Sequence, residues 1–524
     1  MDVSTLHGKP LHCHVGFDPF GDGATIWREV PEGEERAELP EGDYRAYVYI
    51  YEHGLPILSQ VEDLTVVADE EAYLLVSLAE GVGGTRLLRA FDFDGDLAID
   101  RVEQSAGTDP NNAASVPGAA VIPYTSRVLS EESGWYRGEL MAYSSYGHGT
   151  ESVEDLVRRA EDRGLDFLAI TDENRMDAVH DPAFDSDSVV LIPAVKWGND
   201  ENGWVLLYGP RTEPLPPLNV AFAQGVCLRT QAQGGAVAAA HPCLPTAPWQ
   251  WNLAYLNAVQ VWFRGWRDVP PLALDSLREE LQRREEGALV YSIAEAAATT
   301  AQSANSQAQE FWEYELSRGV RMGGIAGSAT ASPKVDMGAP VTYVYAEEKS
   351  LNGILEGIRL GRTYVSSGPD GPQVELFADV TNNGKIDVSI GGTVPMDAVV
   401  TYLARVRGAN GKKLQVLQNG HAIFTKRIES DPFAMRFPHQ ADIPCVYQVR
   451  IISAAREEGF GMVDVHAVTS PIYADDIIAQ LFWNDPDRFL DERNWIPLDE
   501  LSTEEVPLQE LPDTPPEEPT FVIE

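Results

Sequence analysis

The sequence predicts an α/β protein in which a central barrel or doubly wound sheet is flanked by two β-sandwich domains. The centre of the 524-residue chain alternates apolar strand segments with helical segments, as parallel α/β folds do. The segments on either side alternate apolar and polar residues in short runs, which is typical of sandwich strands. The chain is also too long for one ordinary hydrophobic core, so we expect several domains.

The composition is strongly acidic. The chain carries 81 Asp and Glu residues against 39 Lys and Arg residues, a formal net charge of −42. Nucleic-acid binding requires clustered basic residues, so we expect no nucleic-acid partner. The acidic excess suits a protein with cation sites or one from a salty environment, and simple solubility explains it equally well.

Transport signals are not evident in the sequence. No apolar run approaches the roughly 18–20 residues that span a bilayer, so we predict no membrane span. The first residues lack a basic start followed by an apolar stretch, which favours a cytoplasmic protein. A secreted or periplasmic protein with a trimmed N-terminus would have the same sequence. The four cysteines are scattered and predict neither a zinc knuckle nor a disulfide framework.

The N-terminal region is predicted to be a β-sandwich over residues 1–88, because runs such as YRAYVYIYE and VEDLTVVA are separated by turn signals. An acidic segment follows at residues 89–112, and a Pro/Ser/Gly-rich linker at residues 113–132.

The acidic segment DFDGDLAIDRVE has the spacing of a calcium-binding loop. Positions 1, 3, 5, 7, 9 and 12 of such a loop supply oxygen ligands, and here they are Asp92, Asp94, Asp96, Ala98 (through its carbonyl), Asp100 and Glu103. Leu97 departs from the pattern, because glycine is preferred there. The segment, with GTDPNN after it, resembles EF-hand and thrombospondin type-3-like loops. We therefore expect one structural calcium ion joining the first sandwich to the barrel, and the alternative is a solvated acidic turn.

Residues 133–371 carry the predicted barrel. Segments such as LDFLAITD, SVVLIPAVKW and AVAAAHP are nearly continuous apolar strands, which indicates burial on both faces. SVEDLVRRAEDRG is predicted to be an amphipathic helix, with Ser152 and Asp155 placed near a capping pattern and with its end at Gly164. Residues 372–474 return to short alternating runs and predict a second sandwich, and residues 475–524 predict an extended acidic, proline-rich tail.

Several barrel segments taken together resemble the PHP (polymerase and histidinol phosphatase) superfamily, in its CehA/McbA-like metallohydrolase branch. They are GWYRGEL (134–140), SVEDLVRRAEDRGLDFLAITDEN (152–174), VLIPAVKW (190–197), GGAVAAAHP (234–242), AVQVWF (258–263), GIAGSATA (324–331) and ILEGIRLGRTYVSSGP (354–369). The resemblance implies a distorted (β/α)7 barrel with its site at the C-terminal ends of the strands.

The resemblance also implies metal-ligand positions, and most hold residues that coordinate poorly. They are Met141, Tyr143, His148, Glu173, Lys196, Trp204, His241, Ala329 and Ala331. Only His241 keeps the family's residue, while His148 and Glu173 are substitutes that could still coordinate. A hydrolytic metal centre needs more nitrogen and oxygen ligands than these. Lys196 is predicted to supply the missing positive charge by pairing with Glu173, Asp172 or Glu139.

The sequence thus favours a catalytically inactive pseudoenzyme that binds or scaffolds, within a protein assembly, and that holds calcium but no transition metal. One residual metal site at His148, Glu173 and His241 stays open, as does acid/base chemistry by Lys196 with Glu173. The main alternative is a metal-dependent hydrolase of phosphoester, amide or carbamate bonds.

A third possibility is a carbohydrate- or cell-surface-binding protein that uses its β-domains, and open aromatic surface patches would favour it. Separately, an aromatic platform for sugars or peptides could be formed by Trp249, Trp251, Trp262 and Trp266, although packing inside the barrel explains these residues equally well.

Overall fold

The computed structural model describes most of the chain outside the C-terminal region. The described residues are 2–4, 13–20, 25–30, 33–34, 38–52, 55–68, 72–77, 91–214, 223–251, 253, 255–263, 303–317, 319–396, 398–454, 465–475 and 503–505. The chain divides into two compact units, Met1–Asp370 and Gly371–Glu524. The described helices include none that is both long and apolar enough to cross a membrane.

Seven strands are described at the start of the first unit. They are β1 (Asp2–Ser4), β2 (Cys13–Pro19), β3 (Ile26–Val30), β4 (Gly33–Glu34), β5 (Gly42–Glu52), β6 (Leu55–Val66) and β7 (Leu75–Ser77). An antiparallel sheet has the order β3-β2-β5-β6, and a second sheet has the order β4-β1-β7. Val15, Phe17, Val48 and Ile50 belong to one apolar cluster of the first sheet. This region is β-rich, as predicted, while its sandwich packing stays a prediction.

The acidic segment leads into a seven-residue helix, α1 (Asp100–Ala106). The helix ends at Gly107, whose φ of 80° is a left-handed conformation that glycine adopts without strain. Ile99 and Val102 join the apolar cluster of the first sheet. The helix is therefore anchored on the N-terminal sheet.

A long curled sheet follows, with helices between its strands. The strands are β8 (Gly134–Ala142), β9 (Phe167–Ile170), β10 (Val190–Asn199), β11 (Gly203–Tyr208), β12 (Ala236–Ala240), β13 (Ala258–Phe263), β14 (Gly323–Gly327), β15 (Val341–Ala346) and β16 (Thr363–Ser366). The α-helices described among these strands are α2 (Val153–Asp162), α3 (Ala223–Ala232), α4 (Ala304–Ser317) and α5 (Leu351–Arg359), and a 3-10 helix spans Asp177–His180. The strand order is β14-β13-β12-β11-β10-β9-β8-β15-β16.

The sheet mixes parallel and antiparallel pairs. The pairs β8–β9, β9–β10, β12–β13 and β13–β14 are parallel, whereas β11 is antiparallel to both neighbours. The sheet curls, because a bridge between Ala142 and Thr330 brings the ends of β8 and β14 together. Every residue of β9, β11, β12 and β14 is buried, as expected for strands covered on both faces. The mixed α/β class is confirmed, and the (β/α)7 barrel stays a prediction.

Helix α2 shows how local sequence sets one of these elements. The Ser152 side chain accepts a hydrogen bond from the Asp155 N–H at 3.1 Å and so caps the helix start. The buried positions recur with helical spacing at Val153, Leu156, Val157 and Ala160. The predicted helix and its cap are therefore present where the sequence placed them.

The second unit is β-rich. The strands in its described residues are β17 (Gln373–Asp379), β18 (Val388–Ser389), β19 (Thr393–Val394), β20 (Val399–Arg407), β21 (Lys413–Gln418), β22 (His421–Arg427), β23 (Phe433–Gln440), β24 (Cys445–Ile452), β25 (Val465–Thr469), β26 (Ile472–Ala474) and β27 (Thr503–Glu505). One sheet has the order β18-β17-β20-β23-β27, and another runs β25-β24-β21-β22, with β26 pairing β19 and β24. Most of the predicted tail at 475–524 lies outside the described residues.

Candidate metal loop and polar end of the curled sheet

The acidic loop brings three carboxylates together. One carboxylate oxygen from each of Asp92, Asp94 and Asp96 lies within 4.8 Å of the other two. In the part of the chain that the structure describes, this is the only such group of three or more His, Cys, Asp or Glu side chains. Oxygen donors from carboxylates are the ligands that calcium and magnesium prefer.

The loop backbone wraps around Asp92. The N–H groups of Gly95 and Leu97 donate to the two oxygens of the Asp92 carboxylate at 2.8 and 3.0 Å. Leu97 has a φ of 70°, the left-handed conformation for which calcium loops prefer glycine at this position. A leucine there costs about 1–2 kcal/mol of backbone strain, and the complete burial of its side chain offsets that cost. The departure from the pattern at Leu97 therefore leaves the turn intact.

Several carboxylate oxygens of the segment 92–103 are buried and have no hydrogen-bond partner. Glu103 is 0% exposed and neither of its oxygens has a hydrogen-bond partner. Asp96 is also 0% exposed, and one of its oxygens, like one of Asp94, has none. Burial raises the pKa of Glu103 to about 8, and the charges of Asp96 and Asp94 act in the same direction. Burial likewise raises the pKa of Asp96 to about 7.

The other two predicted ligands, Ala98 and Asp100, form hydrogen bonds within the loop. The Asp100 carboxylate accepts from the Phe93 N–H at 2.9 Å. The Ala98 N–H donates to Asp96 at 2.7 Å. One contact was not predicted: Nε of the buried Arg229 donates to the Asp96 carbonyl at 3.1 Å. No sequence signal pointed to this arginine, because it lies 133 positions from Asp96.

At the other candidate site, Lys196 lies on β10 and forms an ion pair. Its ammonium nitrogen is 2.9 Å from an oxygen of Glu173, and the side chains are 8% and 37% exposed. The same nitrogen lies 4.3 Å from the ring centroid of Trp204 and 5.7 Å from that of Tyr143. Aromatic faces attract cations at these distances. We refer to Tyr143, His148, Glu173, Lys196, Trp204 and His241 as the Lys196 cluster.

The two other carboxylates predicted as partners of Lys196 are held elsewhere. Asp172 accepts from the N–H of Ser144 at 2.8 Å and from its hydroxyl. Glu139 accepts from the N–H groups of Met141, Ser328 and Gly338 at 2.8–2.9 Å, and from the Ser328 hydroxyl. The structure thus selects Glu173 from the three predicted partners.

The two histidines of the Lys196 cluster differ in environment. His241 is 3% exposed, and neither ring nitrogen has a hydrogen-bond partner. Burial lowers the pKa of His241 to about 3, and the charge of Lys196 acts in the same direction. His148 is about half exposed, with Nδ1 3.8 Å from Glu173 and its ring centroid 3.9 Å from that of Tyr143.

The side chains at the implied metal positions do not fit a hydrolytic metal centre. The sulfur of Met141 accepts from Gln260 at 3.2 Å, and the indole N–H of Trp204 donates to Asp200 at 2.9 Å. Ala329 and Ala331 offer no side-chain donor atom. A protonated lysine cannot coordinate a cation, so Lys196 places a positive charge at one of the metal-ligand positions that the resemblance implies.

The aromatic platform for sugars is not open at three of its four positions. Trp249, Trp251 and Trp262 are 6%, 4% and 1% exposed, and Trp266 lies outside the described residues. Their rings pack inside the fold, where they contribute apolar burial.

Replacing His241 with leucine is expected to make the free energy of unfolding fall less steeply as the pH is lowered. An unfolded chain binds a proton at this histidine near pH 6.5, whereas the folded chain binds it only near pH 3. Below the unfolded pKa, wild type therefore loses about 1.4 kcal/mol of unfolding free energy per pH unit at this group. Urea unfolding at pH 7.5 and 5.5 gives the change in unfolding free energy between the two pH values for each protein. A loss of packing in the leucine variant that is the same at both pH values cancels from this change. Identical pH dependence in the two proteins would contradict the prediction.

Comparison with known proteins adds two distant structural likenesses. No protein-family model and no curated protein sequence matches this chain. One is a two-domain protein from Bacteroides vulgatus that contains a predicted PHP-like metal-dependent phosphoesterase. Its sequence is 13% identical to this chain and the TM-score is 0.31, over an alignment that covers 67% of this chain and 100% of that one. A candidate metal-dependent phosphoesterase from Bifidobacterium adolescentis is 15% identical, with a TM-score of 0.22, covering 38% of this chain and 90% of that one. At TM-scores below 0.5, neither likeness carries an argument about fold or activity.

Proposed function

We propose that this chain is a catalytically inactive, PHP-like pseudoenzyme that acts by binding or scaffolding. The observation that carries the proposal is the Lys196 ammonium, which lies 2.9 Å from Glu173 among aromatic rings at the polar end of the sheet. A fixed positive charge repels a divalent cation at short range, and the repulsion is strongest where water is excluded.

The neighbouring substitutions support the same proposal. Met141 and Ala329 are buried and fill space with apolar atoms, so they offer no hard ligand. The backbones of Ala329 and His241 nevertheless keep positive φ angles of 52° and 28°. Strained conformations of this kind cluster at functional sites. The backbone thus keeps conformations typical of a functional site, while side chains there such as Met141 and Ala329 offer no hard metal ligand. This combination fits a protein that has lost hydrolytic activity and uses the same fold for binding.

The competing function is hydrolysis by a metal held at His148, Glu173 and His241. The unpartnered ring nitrogens of His241 favour it, because a buried imidazole without partners could bind a metal. In the structure, however, the ion pair with Lys196 occupies the Glu173 carboxylate.

Two measurements separate these functions. Purified full-length protein is first analysed for zinc, iron and manganese, and we expect none near one atom per chain. It is then supplied with each metal and assayed on phosphoester, amide and carbamate substrates, with His241→Ala as the matched variant. We expect no turnover above buffer in either protein. A chelator-sensitive turnover that His241→Ala abolishes would overturn the proposal.

A further inference from the structure

We propose that residues 92–103 bind one calcium ion, and that this ion fastens the N-terminal sheet to helix α3. The site shares no residue with the Lys196 cluster, so the inference goes beyond the proposed function. It rests on the donor atoms of the loop, on their burial, and on the hydrogen bonds that the loop makes with strand β6 and with Arg229 of α3.

The donor atoms suit a hard cation. One carboxylate oxygen from each of Asp92, Asp94 and Asp96 lies within 4.8 Å of the other two, close enough for one cation to contact all three. Calcium accepts six to eight oxygens in irregular geometry, whereas magnesium demands a near-ideal octahedron and keeps several waters. A loop built from several carboxylates at a twelve-residue spacing therefore favours calcium, and magnesium serves as the competitor in the test.

Burial of unpartnered carboxylates is the second, independent observation. Glu103 is 0% exposed and both of its oxygens lack hydrogen-bond partners. Asp96 is equally buried and has one such oxygen. Burying a carboxylate without a partner is strongly unfavourable, so such groups are normally paired or bound to a metal. Arg229 offsets part of the charge on Asp96. The other carboxylates of the loop still leave a negative excess that one divalent cation would balance.

The loop contacts the N-terminal sheet through its backbone. The N–H of Leu58, on β6, donates to the Leu97 carbonyl at 2.8 Å, and the Ile99 N–H donates to the Leu58 carbonyl at 3.3 Å. Leu97 and Ile99 flank Ala98, which the loop pattern assigns as the carbonyl ligand. An ion that fixes the loop backbone would therefore also fix this bridge to β6.

Helix α3 is linked to the same loop through Arg229. This arginine is 6% exposed, and its Nε donates to the Asp96 carbonyl at 3.1 Å. It also hydrogen-bonds to Tyr49 on β5. Asp96 thus offers its carboxylate to the ion and its carbonyl to α3. Loss of the ion would leave repelling carboxylates at the point where the sheet and the helix meet.

The test compares full-length wild type with Glu103→Gln, and uses Asp162→Asn, an exposed acidic position on α2, as the matched control. After treatment with EDTA and dialysis, calcium chloride is titrated calorimetrically with excess magnesium present. We expect one calcium per chain in wild type and in Asp162→Asn, and a Kd about tenfold or more weaker in Glu103→Gln. Wild type that binds no calcium, or Glu103→Gln that binds it normally, would overturn the site.

Two further measurements test whether the variant folds and whether calcium fastens the N-terminal sheet to α3, a connection that we call the junction. In EDTA, Glu103→Gln should melt no lower than wild type, because a neutral amide of similar size replaces a buried carboxyl group that has no hydrogen-bond partner, and this shows that the variant folds. Hydrogen exchange of peptides covering Leu55–Val66 and Ala223–Ala232 should slow on calcium addition in wild type but not in Glu103→Gln. Calcium binding with unchanged exchange in both peptides would overturn the junction while retaining the site.

Discussion

Replacing Glu139 with alanine is expected to lower the free energy of unfolding by about 3–5 kcal/mol, because each buried donor left without an acceptor costs about 1–3 kcal/mol. Glu139 is 0% exposed and accepts from the N–H groups of Met141, Ser328 and Gly338. These donors lie at β8, just after β14 and just before β15. One carboxylate thus joins three segments of the curled sheet.

Urea unfolding at pH 7.5 measures this effect, with Ser328→Ala as the matched control. That variant removes one hydroxyl donor and keeps the carboxylate and the backbone donors, so its loss should be about 1 kcal/mol. Burial raises the pKa of Glu139 to about 7, above its usual 4.5. The raised pKa makes this group's contribution fall as pH rises from 4.5 to 7 and then level off. A Glu139→Ala loss no larger than that of Ser328→Ala would contradict the central role of this carboxylate.

Removing Glu173 is expected to destabilise the protein more than removing Lys196. In Glu173→Ala, an ammonium that is 8% exposed loses its anion, with an expected cost of about 2–4 kcal/mol. In Lys196→Met, the Glu173 side chain is 37% exposed and water can solvate it, while methionine replaces the lysine stem. The expected loss there is about 1 kcal/mol. Chemical denaturation at pH 7.5 gives both values.

The double variant Glu173→Ala/Lys196→Met is the decisive comparison. It should be more stable than Glu173→Ala alone, because the unpaired ammonium is gone. Burial lowers the pKa of Lys196. Without Glu173, the buried ammonium destabilises the fold below its unfolded pKa of 10.5, so the free energy of unfolding should increase as pH rises towards that value. Equal losses in the two single variants, with no gain in the double variant, would show that Lys196 does not act as a substitute cation.

The acidic loop shows how far sequence reasoning reaches. Asp92, Asp94 and Asp96 were predicted as calcium ligands from their spacing in the loop pattern, and one oxygen from each lies within 4.8 Å of the other two. Leu97 was a departure from the pattern, and the structure shows its left-handed φ together with full burial of its side chain. The burial depends on the fold around the loop, which the local sequence does not contain.

The Lys196 cluster shows the converse. The sequence placed Lys196 near three candidate carboxylates and left their choice open. Glu139 does not pair with Lys196, because its carboxylate accepts hydrogen bonds from Ser328 and Gly338, which lie 189 and 199 positions away along the chain. Contacts at that separation follow from the curl of the sheet and leave no local pattern.

By itself, the sequence determined the β-rich ends, the alternation of strands and helices in the centre, the Ser152 cap of α2 and the carboxylate spacing of the acidic loop. All of these depend on residues close together in the chain, because side-chain periodicity and capping act over a few positions. Only the tertiary structure decided that Glu173 pairs with Lys196, that Glu103 is buried without a partner, and that Arg229 reaches Asp96. Burial and long-range pairing decide these contacts, and both are properties of the packed chain.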